Sequence, residues 1–127
     1  MLTSFGTATL LTILLLPTLA SAEKPMGYID GVSASGWVYG WSFDAAIPHE
    51  ANRVSFFIDG EGHENWIGST KTKQVRQDIN RSYKITGNHG FNFPIPKKWF
   101  DGKPHQLYVY FHPVSNQHKP QIGRAHV

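Results

Sequence analysis

Five aspartates, Asp30, Asp44, Asp59, Asp78 and Asp101, are the residues of this 127-residue chain that could do acid–base chemistry. Hydrolysis of a glycosidic bond needs two carboxyls facing each other across a cleft. Asp30, Asp59 and Asp101 each precede Gly, a context in which Asp serves by bonding the local backbone. Turn formation is therefore the expected role, and a small secreted hydrolase built on two of these carboxylates stands as an alternative. Ca2+ suits clustered loop carboxylates, but the chain has no Asp-x-Asp-x-Asp array. His49, His63, His89, His105, His112 and His118 include no pair at metal-ligand spacing within one element. There is no Cys, no Gly-x-Ser-x-Gly elbow and no Gly-rich phosphate loop before a helix. Catalytic residues, metal and cofactor are each expected to be none.

Arg76 and Asp78 stand two residues apart, so on an extended segment they point the same way and can share hydrogen bonds. That pair could meet an anion or a sugar. The preferred reading is structural, with Arg76 reaching another carboxylate such as Asp44 while Asp78 caps the turn around Ile79 to Ser82.

Rings are the remaining chemistry. Trp37, Tyr39, Trp41 and Phe43 occupy alternate positions with Gly36, Val38, Gly40 and Ser42 between them. A strand has a side-chain period of two, so one face is a row of large rings and the other is nearly bare. The bare face admits another backbone or sheet, and the ring face can fill a core or meet a flat ligand. Trp41 is expected to anchor the core with Val54, Phe56, Ile58, Phe91, Phe93, Leu107, Val109 and Phe111. The chain holds five Tyr, eight Phe and four Trp, more rings than one small core accommodates. Some of Trp37, Tyr39, Phe57, Trp66, Tyr108 and Tyr110 should stay partly exposed, where flat rings stack on sugars or partner proteins. Trp37, Tyr39, Tyr108 and Tyr110 form the expected aromatic platform.

The elements that must position these residues are short strands. Met26 to Val32 can pair with the ring-rich strand as a hairpin, and Arg53 to Asp59 alternates before the Asp59-Gly60-Glu61-Gly62 turn, where Gly tolerates the positive φ such turns demand. Glu64 to Thr70 is the returning strand. Val75, Ile79 and Tyr83 at spacing four suit a short helix or one turn of it. Phe91 to Ile95 alternates again, and Pro94 and Pro96 imply that it lies at a sheet edge or leaves the sheet early. Gln106 to His112 is the cleanest strand, with Leu107, Val109 and Phe111 opposite Tyr108, Tyr110 and His112. The expected fold is all-β, a single antiparallel β-sandwich of about six to seven strands with at most one short helical turn.

At the ends, residues 1–22 read as a signal peptide. A short apolar run at Leu10 to Leu16 is followed by Pro17 and the small residues Ala20-Ser21-Ala22. The domain is then 23–121, secreted, periplasmic or on the cell surface, with no membrane span in the mature chain. Residues 122–127 read Ile-Gly-Arg-Ala-His-Val, the translation of a common sequencing-adapter read-through. They are expected to be an artefact or a disordered tail, with a downstream domain missing. Twelve Lys and Arg against nine Asp and Glu leave a charge of +3. The basic residues around Lys71, Arg76 and Lys84 are interspersed with acids, so a solvated surface is expected and nucleic acid is not an expected partner.

Five landmarks follow one order: Gly40-Trp41-Ser42-Phe43-Asp44, Val54 to Gly60, Arg76-Gln77-Asp78-Ile79, Gly90-Phe91-Asn92-Phe93-Pro94-Ile95-Pro96, and Asp101-Gly102-Lys103-Pro104-His105. In this the chain resembles a bacterial extracellular β-sandwich module, immunoglobulin-like or jelly-roll-like. Trp41, Asp44, Arg76, Asp78, Phe91, Phe93 and His105 carry the resemblance as structural residues. It implies a non-catalytic accessory module of a cell-surface, adhesive or glycan-processing protein, with a polysaccharide or cell-envelope component as partner. The alternative is a structural spacer or adhesin segment. The module departs from the pattern at Tyr110-Phe111-His112-Pro113, where an acidic residue commonly follows the tyrosine.

Overall fold

The computed structural model describes residues 25–114 and 121–126, so the expected signal peptide lies outside the described residues. Alternating apolar and polar residues build seven strands: β1 (Pro25–Val32), β2 (Trp37–Asp44), β3 (Arg53–Ile58), β4 (Trp66–Lys71), β5 (Gly90–Pro94), β6 (Gln106–Phe111) and β7 (Gln121–His126). One helix, α1 (Gln77–Tyr83), lies between β4 and β5. The strands form two antiparallel sheets, in the orders β1-β2-β5 and β4-β3-β6-β7. The all-β sandwich expected from the pattern is what the chain forms, and β5 lies at an edge.

The core fills the space between the sheets. Val38 and Phe91 from one sheet meet Val54, Phe56, Ile58, Leu107, Val109 and Phe111 from the other, with Ile95 alongside. Burying each such side chain stabilises the fold by about 1.5–3 kcal/mol. Phe93 is half-buried and stacks on Phe56, ring centroids 4.3 Å apart and planes within 8°.

Trp41 does not anchor this core. The small-residue side of β2 faces inward, with Val38, Gly40 and Ser42 buried, and Trp41 is half-buried on the outer face. Beside it, β1 shifts register between Ile29 and Gly31, and the Tyr28 carbonyl lies over Gly40. Only a glycine leaves room there. Helix α1 packs on the outer face instead, where Phe43, Ile79 and Ile85 form a second cluster with Trp41 and Ala45. Tyr83 meets Phe43 edge-on at 4.9 Å and Trp41 at 5.5 Å. The helix ends at Lys84, whose left-handed backbone (φ 57°) lets its N–H reach the Asn80 carbonyl. Val75, expected to share the helical stripe, precedes the helix and is exposed.

One further expectation is corrected. In the turn after β3, the positive φ belongs to Asp59 (φ 60°) and not to Gly60. The cause is local: Asp59 Oδ1 accepts from the Gln106 N–H at 2.9 Å, and Asp tolerates this conformation better than most residues. Where an artefact or a disordered tail was expected for 122–127, Gln121–His126 is placed as an edge strand in register with β6, and Val127 lies outside the described residues.

Polar ties hold the ends of the sandwich. At one end, buried Asp44 accepts from the Ala46 N–H at 2.9 Å and the Val114 N–H at 2.8 Å, joining the end of β2 to the chain beyond β6. Nearby Asn52 Nδ2 donates to Ser42 Oγ and to the His112 carbonyl. At the other end, His105 lies between Asp59 (2.7 Å) and Asp101 (2.9 Å), with Trp99 edge-on to its ring.

Candidate functional site

The outer face of the three-stranded sheet carries the exposed rings. Register places Tyr28 opposite Trp41, Tyr39 opposite Asn92 and Trp37 opposite Pro94. Tyr28 is 61% exposed, Trp37 41% and Tyr39 43%. Helix α1 covers the Phe43 end of the ring row on β2, so the alternation splits into a covered half and an open half. The open half is the candidate site.

Arg76 crosses this face. Its side chain lies over Gly90 on β5, where an added Cβ would come within 2.8 Å of its Cγ. From there Nη1 donates to Asp30 Oδ2 on β1 at 2.7 Å, while Nε and Nη2 donate to Asp78 at 2.9 and 2.7 Å. Because Gly90 pairs with Trp41, and Asp30 sits beside the Gly31–Tyr39 pair, the guanidinium spans β2 between the Trp41 and Tyr39 positions. Arg76 does not reach Asp44, as had been expected. Asp44 is on the inner side, level with Pro25, and both its oxygens are taken by backbone N–H groups. Nor does Asp78 cap the helix; Arg76 occupies that position without a side-chain cap. The bidentate contact from Arg76 holds the Asp78 carboxyl down to about 2, and the two carboxylates raise Arg76 further above its ordinary value, Asp78 foremost.

The four-ring platform expected from the pattern is not brought together. Trp37 and Tyr39 lie on one sheet, and Tyr108 and Tyr110 lie on the outer face of the other. There Tyr110 packs against Phe57 at 4.8 Å and donates its hydroxyl to Glu61 at 3.0 Å. Burial, followed by that carboxylate, pushes the Tyr110 hydroxyl up in pKa. The guanidinium of Arg124 lies 5.4 Å from the Tyr108 ring. These two tyrosines are half-buried and engaged with neighbours. Tyr28, absent from the expected platform, belongs to it. Its alternation with Met26 and Asp30, against Gly27 and Ile29, was the signal for it.

The carboxylates have local partners. Asp30 and Asp78 serve Arg76, Asp44 serves backbone N–H groups, and Asp59 and Asp101 converge on His105. The imidazole fills the space between the last two. Among the described residues, no group of three His, Cys, Asp or Glu is placed to hold a metal ion. The core residues Phe91 and Phe93 line the inner side of the same sheet that presents the rings.

The His105 bridge has a testable pH signature. Asp59, then Asp101, raise the His105 pKa above 6.5, since only the imidazolium donates from both ring nitrogens. Its stabilisation is therefore full below 6.5 and is lost as pH rises through the higher folded value. Asp59 is lowered first by the Gln106 N–H and then by His105, and Asp101 first by His105. Their contributions are full above 3.8 and are lost as pH falls through the lower folded values. Thermal melts of wild type and His105→Gln should differ most between those limits and converge on the alkaline side. A difference that grows above neutral pH would contradict the bridge.

Compared with protein-family models, curated proteins and solved structures, the chain matches none.

Proposed function

We propose that the outer face of the three-stranded sheet binds a polysaccharide, and that the chain is a non-catalytic accessory module of an exported protein, acting on glycan or cell-envelope material. The observation that carries this reading is the open half of the ring row, Trp37 and Tyr39 with Tyr28 beside them, exposed on one face of one sheet. Rings held by a sheet lose little freedom on binding, and their flat faces match the C–H faces of sugar rings. The Arg76–Asp30–Asp78 group adds donors and acceptors for hydroxyls beside the rings. A flat open surface fits a chain lying across it, which favours an extended polymer over a small molecule in a pocket.

The test is retention of the protein on insoluble polysaccharides (cellulose, chitin, xylan and peptidoglycan) with Trp37→Ala and Tyr39→Ala alongside. Retention on at least one is expected, weakened about ten- to thirtyfold by Trp37→Ala, as for a central aromatic contact. Tyr108→Ala on the other sheet should leave it unchanged. Failure to bind any of the four, or equal binding by Trp37→Ala, would remove the claim.

A further inference from the structure

The opposite face of the sandwich carries a different feature. Arg53 on β3 and Lys71 on β4 are register partners, and the His112 N–H donates to the Arg53 carbonyl, so the three side chains form one row across the end of the sheet. Like charges directly opposite on paired strands repel. Among the described residues, neither Arg53 nor Lys71 makes an ion pair with a carboxylate. Glu50 borders the same place without pairing to either. The row opens on a cleft of about 360 Å³ that Asn52 also lines.

Two polar groups, buried Asn52 and half-buried His112, shape this cleft. Asn52 is 2% exposed, and its Oδ1 has no donor among the described residues although its Nδ2 is doubly used. His112 Nε2 is 2.8 Å from Ser55 Oγ, which is in turn 2.8 Å from Ser69 Oγ, so the imidazole is fixed in orientation. Burial, and after it the charge of Arg53, lowers the His112 pKa, which suits a neutral ring beside two permanent cations.

We propose that this cleft binds an oxyanion (a carboxylate, sulfate or phosphate group) between the Arg53 guanidinium and the Lys71 ammonium. A guanidinium offers paired donors that match such oxygens, and the neighbouring ammonium adds a point charge. The anion removes the repulsion between the two cations. The site is on the other sheet from the exposed rings and stands or falls independently of them.

The test is an NMR titration of the full chain with sodium sulfate at constant ionic strength, with parallel titrations by a galacturonate trisaccharide and its neutral galactose counterpart. Saturable shifts centred on the amides of Arg53, Lys71 and His112 are expected with both anions and not with the neutral sugar. Arg53→Gln with Lys71→Gln should weaken binding at least about tenfold, the loss of one charge-assisted contact or more, while Lys97→Gln leaves it unchanged. Lys71→Gln alone, at an exposed position, repeats the test should the double variant unfold. Tighter binding of the trisaccharide than of sulfate assigns the anion to an acidic glycan, and equal binding assigns it to a free ion; both uphold the site. Shifts that never saturate, that are as large at Lys97 and Lys98, or that survive in the variants would overturn it.

Discussion

Gly40→Ala is expected to destabilise the chain by about 3 kcal/mol, the upper end of what overpacking usually costs and a large part of what a domain of this size has to lose. The added Cβ would overlap the Tyr28 carbonyl oxygen and stand 3.0 Å from Phe91 Cζ and 3.1 Å from Ile29 Cα. Backbone atoms on the neighbouring strand cannot swing aside as a flexible side chain can. Relief would require undoing the register shift in β1, which would also displace Tyr28 and Asp30 from the outer face. Urea unfolding of the variant measures the loss, and loss of signal dispersion from the Tyr28 region would localise it. A change below about 1 kcal/mol, the usual effect of an average substitution, would show that β1 does not constrain β2 in this way.

Phe56→Ala is the second large effect, expected at about 3–5 kcal/mol, as for other buried Phe truncations. Phe56 is fully buried at the centre of the four-stranded sheet, stacked on Phe93 and tilted against Phe91 at 5.8 Å. Phe93 itself closes over Gly68, where a Cβ would meet its ring at 2.5 Å and the backbone φ is 147°. Phe56→Leu should recover most of the loss by keeping much of the volume. Equal instability of Phe56→Leu and Phe56→Ala would mean that ring stacking, not filled space, holds this point of the core.

Much of the scaffold was legible in the residues. Alternation at Val54, Phe56 and Ile58, and again at Leu107, Val109 and Phe111, marked inward faces, and these residues are buried. The prolines at positions 94 and 96 marked an edge strand, and β5 is one. Which side of β2 faces inward was not legible, because it depends on which face the second sheet and which face α1 comes to cover. The platform was half legible for a related reason. Trp37 and Tyr39 share a face with each other by local periodicity, whereas their relation to Tyr108 and Tyr110 depends on which sheet β2 and β6 join, a matter of long-range pairing. The partners of Asp44 were hidden entirely, since backbone N–H groups carry no residue-specific signal, and one of them belongs to Val114. His105 was visible as a turn neighbour, but its two aspartates come together only once β3 and β6 are side by side.

The two poles of the sandwich are fastened by different chemistry. Around Asp44 and Asn52 the fastening is made with backbone amides and an uncharged carboxamide, while the Asp59–Asp101 pole adds to its Gln106 backbone contact an imidazole bridge that weakens as pH rises. Alkali therefore loosens the molecule from a single tip, like a hinge with one removable pin. The tip that gives way is the one bearing the Asp-Gly turns, and the rim where Arg53 and Lys71 sit stays fastened.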